Sequence, residues 1–190
     1  MFETLGVIFI AIFFLGIILT VVLKLRKGTN ILVLGKKDKR ELIFGFGYLI
    51  LLYLILAGAY GLPLPATLVR FFWNNDVIRL LGVIMCILGT FISYICIGDF
   101  WKSVRIGVDY ENAGELTTDG IYARSRNPMY LSFILIFLGE FLIFPNLGLL
   151  LFVLIASLSF HLQILKEESF LKEHYGDDYL NYFNKVSRYF

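Results

Sequence analysis

Five runs of apolar residues, at roughly 4–23, 42–60, 77–97, 129–144 and 146–165, take up about half of this 190-residue chain. Most approach the ~20 residues that a helix needs to cross the ~30 Å hydrocarbon layer of a bilayer. The chain is 58% hydrophobic with a mean hydropathy of +0.78, where a soluble domain is nearer half apolar. The expected fold is all-α: an integral membrane bundle of about five transmembrane helices, in one domain covering 1–190. Residues 1–97 supply three spans, and 98–190 supply a cytosolic loop, a helical hairpin and a tail that together build a polar site. The first run opens on Glu3 and has no basic start or small-residue cleavage site, so it reads as a retained span rather than a signal peptide. The run 129–144 would cover only ~24 Å. Pro145-Asn146 follows it at once, so 129–165 reads as a tight helical hairpin.

The remaining composition excludes several function classes. The formal net charge of +2 gives no basic stripe for nucleic acid. Cys86 and Cys96 share one apolar run, ~15 Å apart as a helix, too far for a disulfide. The two histidines, His161 and His174, and the lack of any CxxC leave no metal-ligand spacing, so no metal is expected.

Basic residues set an expected orientation. They gather in 24–41 (Lys24, Arg26, Lys27, Lys36, Lys37, Lys39, Arg40), in 98–128 (Lys102, Arg105, Arg124, Arg126) and in the tail (Lys166, Lys172, Lys185, Arg188). The other two connections hold only Arg70 and, just inside a span, Arg79. This alternation predicts the amino terminus outside and the carboxyl terminus cytosolic. The long loop and the tail then lie on one side and can meet. Glycines are plentiful in the spans and allow close helix contact in lipid.

Two polar stretches carry the candidate chemistry. In Arg126-Asn127-Pro128-Met129-Tyr130, Asn127 suits a helix N-cap and Pro128 the first helical position. Arg124 and Arg126 then read as headgroup anchors. The same helix start offers free amide donors to a carboxylate or phosphate, and Tyr122 and Tyr130 offer aromatic faces to a base or a cation. The second stretch is Gln163, Glu167 and Glu168 at the mouth of the last run, with Gly176 ending that helix and an amphipathic helix at 177–186. Gln163 and Glu167 share a helix face. The pair Glu167-Glu168 reads either as a solvated helix end or as a partner for a cationic ligand. His161, deeper in the same helix, reads as an interhelical hydrogen-bond donor or acceptor rather than a base. Glu140 is ionisable within a span, a functional hypothesis by default. Its place near the end of a short arm favours a carboxylate that reaches the headgroups.

Together, Leu116-Thr117-Thr118-Asp119-Gly120-Ile121-Tyr122, Arg126-Asn127-Pro128-Met129-Tyr130, and Glu167-Glu168 with Leu171, Tyr175-Gly176, Tyr179, Tyr182 and Arg188 resemble the isoprenylcysteine carboxyl methyltransferase family and its relatives, the phospholipid methyltransferases. The resemblance covers Gly98–Phe190; the first three spans add only hydrophobicity. It implies an S-adenosylmethionine-dependent membrane methyltransferase with a lipophilic acceptor drawn from the bilayer. By position it implies a cofactor site of Gly114, Glu115, Leu116, Thr117, Tyr122, Asn127, Pro128, Met129, Tyr130 and Glu167, supported by Glu168. The family's eukaryotic branch has His where Asn127 stands. It has Arg, assigned to the substrate carboxylate, where Gln163 stands. Gln163 is therefore the candidate acceptor-binding residue, and the missing arginine bears against carboxyl methylation of a prenylated cysteine. No residue stands out as a general base. Two alternatives stay open: an NADPH-dependent enzyme like the membrane sterol reductases, which share a related carboxyl-terminal pattern, and a non-enzymatic membrane transporter or scaffold.

Overall fold

A computed structural model describes residues 1–26, 41–99 and 116–189, and the described residues are helical apart from short connections. In lipid no water is available to backbone groups, so an apolar segment satisfies its N–H and C=O groups internally by coiling. The helices are α1 (Phe2–Arg26), α2 (Glu41–Tyr60), a single turn α3 (Ala66–Val69), α4 (Asp76–Asp99), α5 (Pro128–Ile143), α6 (Leu147–Tyr175) and α7 (Asp177–Lys185), with a 3-10 turn at Gly120–Ala123. Among the described residues, three helices are long and apolar enough to cross a membrane: Phe2–Thr20, Asp76–Gly98 and Leu147–Tyr175. Phe46–Tyr60 and Pro128–Ile143 are apolar but shorter. Large apolar side chains on these helices, such as Leu15, Leu19, Phe91, Leu154, Ile155 and Leu158, are exposed. A water-soluble surface does not present so many, whereas a lipid-facing one does. The chain is a membrane protein.

The helices run up and down. Arg79, in the first turn of α4, pairs with Glu3 of α1 at 2.9 Å. A Cβ on Gly6 would lie 2.6 Å from the Phe144 ring, and one on Gly58 of α2 would lie 3.2 Å from the same ring. The starts of α1, α4 and α6 and the ends of α2 and α5 therefore share one end of the bundle. The start of α5 and the charged last turns of α6 lie at the opposite end, where the candidate site residues gather. Between them runs a chain of rings. Phe13 meets Phe133 at 5.4 Å, Tyr48 meets Phe137 at 6.3 Å, and Phe137 stacks on Phe160 at 5.9 Å.

Helix α5 is held most closely against α4, and glycine is the cause. A Cβ on Gly82 would stand 2.6 Å from the Gly139 carbonyl oxygen, and one on Gly139 would stand 2.6 Å from Cys86 Sγ. Farther along, a Cβ on Gly89 would stand 2.7 Å from the Ser132 carbonyl oxygen. No larger residue fits, so the two backbones approach as small-residue contacts allow in lipid. The hydroxyls of Ser93 and Ser132, 2.7 Å apart, tie the same two helices near the site end.

The hairpin expected at 129–165 is present. Phe144, Pro145 and Asn146 are buried in its turn. Asn146 accepts from the Leu149 amide at 2.9 Å as the N-cap of α6, and Phe72 N–H donates to the Pro145 carbonyl at 2.7 Å. One expectation fails here. Glu140 does not reach the headgroups; it is fully buried. The end of α5 is enclosed by α1 and α4, with Glu140 Oε1 3.9 Å from Cys86 Sγ and a Cβ on Gly6 of α1 only 2.9 Å from Glu140 Oε2. Cys86 and Cys96 are both buried, and they form no disulfide.

Candidate functional site

The site forms where three pieces of chain meet: the segment 116–130, the last turns of α6, and the tail from α7 onward. Residues 116–118 lead into the 3-10 turn, in which Tyr122 is half-buried. Gly120, at φ 58°, starts this turn in the left-handed region that glycine enters freely. The chain then passes through Ser125 and Asn127, both buried, into α5. Pro128 occupies its first turn, where its missing N–H and fixed φ are no handicap. Asn127 sits at the N-cap position, but its side chain does not cap the helix. Its Nδ2 instead donates to the Arg188 carbonyl at 3.2 Å. The tail offers a better acceptor, 61 residues away in sequence, and the Asn127 amide N–H is met by Ser125 Oγ at 3.2 Å.

The twin glutamates of α6 divide between two partners. Successive helical residues point ~100° apart, so Glu167 and Glu168 cannot face the same neighbour. Glu167 Oε1 accepts from the Tyr130 hydroxyl and, at 3.2 Å, from Gln163 Nε2 one turn deeper in the bundle. Glu168 is buried between two guanidinium groups. Arg126 donates to its Oε1 through Nε at 3.2 Å and Nη2 at 2.9 Å. Arg188 donates from the other side, with Nη2 2.8 Å from Oε2. Arg126 Nη1 also donates to the Phe183 carbonyl at 2.8 Å and to the Val186 carbonyl, and its guanidinium lies 4.0 Å from the centre of the Phe183 ring. Arg126 is therefore no headgroup anchor. With 7% of its side chain exposed, it is the centre of a buried network, while Arg124 remains exposed.

Helix α7 carries the tail back to this network. Gly176, at φ 53°, breaks the course of α6 after Tyr175, and α7 lays Tyr179 and Tyr182 inward with its polar residues out. The Tyr182 hydroxyl donates to the Tyr122 carbonyl at 2.7 Å. Burial pushes the phenols of Tyr179 and Tyr182 up to about 12, so both stay protonated and Tyr182 can only donate to that carbonyl. Beyond α7, Arg126 N–H donates to the Ser187 carbonyl at 3.0 Å, and Ser125 Oγ donates to the Arg188 carbonyl at 3.3 Å. Tyr189 shares a 2.7 Å hydrogen bond with His161 Nδ1, so among the described residues His161 bonds to the tail rather than to a second membrane helix.

Of the expected site residues, Tyr130, Gln163 and Glu167 form one cluster, while Asn127 and Glu168 belong to the adjoining network with Arg126 and Arg188. Pro128 and Met129 link the two through the first turn of α5. Tyr122 joins through its backbone, and Leu116 and Thr117 lie half-buried in the lead-in. Gly114 and Glu115 lie outside the described residues. The sequence pattern gave no role to Ser125, and none beyond the resemblance to Arg188; it made Arg126 an anchor. The available signal was charge balance: Glu168 has a cation on each side of its sequence position in a chain with few charges. An open depression of about 570 Å3, lined by Lys166, Ser169, Phe170, Glu173 and His174, lies on a neighbouring face of α6.

Comparison with known proteins decides the family. The model of the phospholipid methyltransferase family matches residues 77–178. The chain belongs to the phospholipid methyltransferase family. The match begins in α4, earlier than the Gly98 start expected, so the third apolar run is part of the family's core and not a featureless span. It ends before Tyr179, leaving most of α7 and the Arg188 tail beyond it. Three curated relatives are similar. The protein-S-isoprenylcysteine O-methyltransferase of Schizosaccharomyces pombe is 32% identical over 107 residues, which is 50% of this chain and 45% of the relative. Proteins named probable protein-S-isoprenylcysteine O-methyltransferase from Oryza sativa subsp. indica and subsp. japonica are each 31% identical over 108 residues, 55% of this chain and 56% of theirs. The chain spans about half the length of the relatives that it matches.

Proposed function

We propose that this protein is a methyltransferase that moves a methyl group from S-adenosylmethionine to a lipophilic acceptor at the membrane. The observation that carries the reading is the hydrogen bond from Tyr130 to Glu167, beside the Arg126–Glu168 pair. It joins the Arg-Asn-Pro turn to the twin glutamates within the region that the family model matches. Membership of the family and the activity for which the relatives are named support the same conclusion.

The donor would supply a methyl group on a sulfonium centre, ready for in-line displacement. The residues present suit such a molecule. Glu167 is an anionic acceptor for an ammonium or a hydroxyl group. The amino-terminal amides of α5 favour a carboxylate. The Tyr130 and Tyr122 rings suit a cationic or flat aromatic group. We assign donor binding to Gly114, Glu115, Leu116, Thr117, Tyr122, Asn127, Pro128, Met129, Tyr130 and Glu167, with Glu168 in support. Gln163, one turn closer to the apolar interior, is our candidate for meeting the acceptor. The whole of 1–190 acts as a single domain, with the site and the carboxyl terminus on the cytosolic side. Catalysis is positioning and exclusion of water, with no covalent enzyme intermediate. Such a site suits an acceptor that is already anionic, since no general base stands out among the described residues. The test is incubation of purified protein and native lipid extract with labelled S-adenosylmethionine. Label carried into a lipid-soluble product supports the reading; no transfer, or heat protection by NADPH instead, refutes it.

A further inference from the structure

Arg188 touches both flanks of the candidate site. Its guanidinium grips Glu168 of α6, with Nε 3.1 Å from Oε1 and Nη2 2.8 Å from Oε2. Its carbonyl accepts from Ser125 Oγ at 3.3 Å and Asn127 Nδ2 at 3.2 Å, in the turn that opens α5. An exposed ion pair adds little to stability, but this one is not simply exposed. Glu168 has only 5% of its side chain accessible, and its other face is taken by Arg126. Adjacent residues of a helix are rigidly related, so whatever fixes Glu168 also fixes the direction of Glu167. We propose that Arg188 is a positioning residue for the donor site: by holding Glu168 it sets the roll of α6 and so keeps Glu167 against Tyr130. The inference rests on the donor-binding reading above. It extends the functional unit beyond residue 178, where the family match stops.

The experiment is isothermal titration of the purified full chain in detergent with S-adenosylhomocysteine, alongside thermal melting. The variants are Arg188→Ala, Arg188→Lys, Glu168→Gln and the double variant Arg188→Ala with Glu168→Gln. Arg188→Ala is expected to bind about tenfold more weakly, in the usual range for coupling between sites, with its melting temperature within a few degrees of wild type. Arg188→Lys should recover only part of the affinity, because an ammonium is a point charge that cannot reproduce the guanidinium fork. Methylguanidinium added to Arg188→Ala should restore binding. The double variant should bind no more weakly than the weaker single variant, since Glu168→Gln already disrupts the contact that Arg188→Ala removes. Undiminished affinity in Arg188→Ala overturns the proposal. So do losses that multiply in the double variant, and losses in every variant that follow a matching fall in melting temperature. If Arg188→Ala does not fold, Arg188→Lys and Glu168→Gln, which keep side-chain size, decide the question by the same criteria. Wild-type protein that does not bind S-adenosylhomocysteine refutes the donor-binding reading itself, an outcome distinct from equal binding by wild type and variants.

Discussion

Arg126 and Glu168, 42 residues apart in the chain, meet at 2.9 Å with 7% and 5% of their side chains exposed. The pair closes the site end of the hairpin, and the same guanidinium holds the end of α7 through the carbonyls of Phe183 and Val186. One side chain thus joins α5, α6 and the tail.

Arg126→Ala leaves a buried carboxylate with one of its two cations and frees two carbonyls. Breaking a buried pair from one side costs about 3–5 kcal/mol; with Arg188 still present, about 3 kcal/mol is expected. Thermal melting in detergent should fall by roughly 10 °C. Arg126→Lys should recover less than half of that, because an ammonium cannot reach both the carboxylate and the carbonyls.

Glu167→Gln keeps the size of the side chain and removes its charge. A charged hydrogen bond contributes about 1.5–3 kcal/mol, so S-adenosylhomocysteine affinity should drop by roughly 10- to 150-fold, with melting close to wild type. Unchanged affinity in titration calorimetry removes Glu167 from the donor site.

The helix positions were legible in the apolar runs, because the length of a span and the breakers Gly61, Pro63, Pro65 and Pro145 are written locally. The Arg-Asn-Pro turn and the twin glutamates were legible as a pattern. The partners were not. Asn127 has every feature of an N-cap, yet its side chain serves a carbonyl 61 residues away. Arg126 looks like a headgroup anchor until the tail folds back over it. Glu140 sits near the end of a short run, and only the approach of α1 through Gly6 encloses it. Each miss involves a contact made by a distant segment, which no local rule registers.

Gly139→Val should separate α4 from α5. A Cβ at that position already falls 2.6 Å from both the Gly82 oxygen and Cys86 Sγ, and overpacking of this kind costs about 1–3 kcal/mol or more. A melting temperature lower by roughly 5 °C is expected. Gly47→Ala is the control: a Cβ there meets nothing within 4 Å, and alanine in a helix is favoured by about 1 kcal/mol, so melting should hold or rise.

Alkaline pH should loosen the tail. Burial raises the folded-state phenols of Tyr179 and Tyr182 from 10.0 to about 12. A raised pKa means that their contribution is complete below pH ~10 and is lost as pH climbs through about 12. Melting should be flat from neutral pH to ~10 and then decline. Tyr182→Phe removes only the donor to the Tyr122 carbonyl, lowers stability at neutral pH by about 1 kcal/mol, and should make the alkaline decline shallower.

The 16 residues of α5 extend about 24 Å, some 6 Å short of a typical hydrocarbon thickness. Such a mismatch is relieved by local thinning of the bilayer or by sinking the helix end below the lipid headgroups. If α5 crosses the bilayer as proposed, either response would leave Pro128 and the polar cluster around it in a dimple of the membrane surface. A greasy molecule lying among the lipid tails would then meet that cluster without being lifted into water.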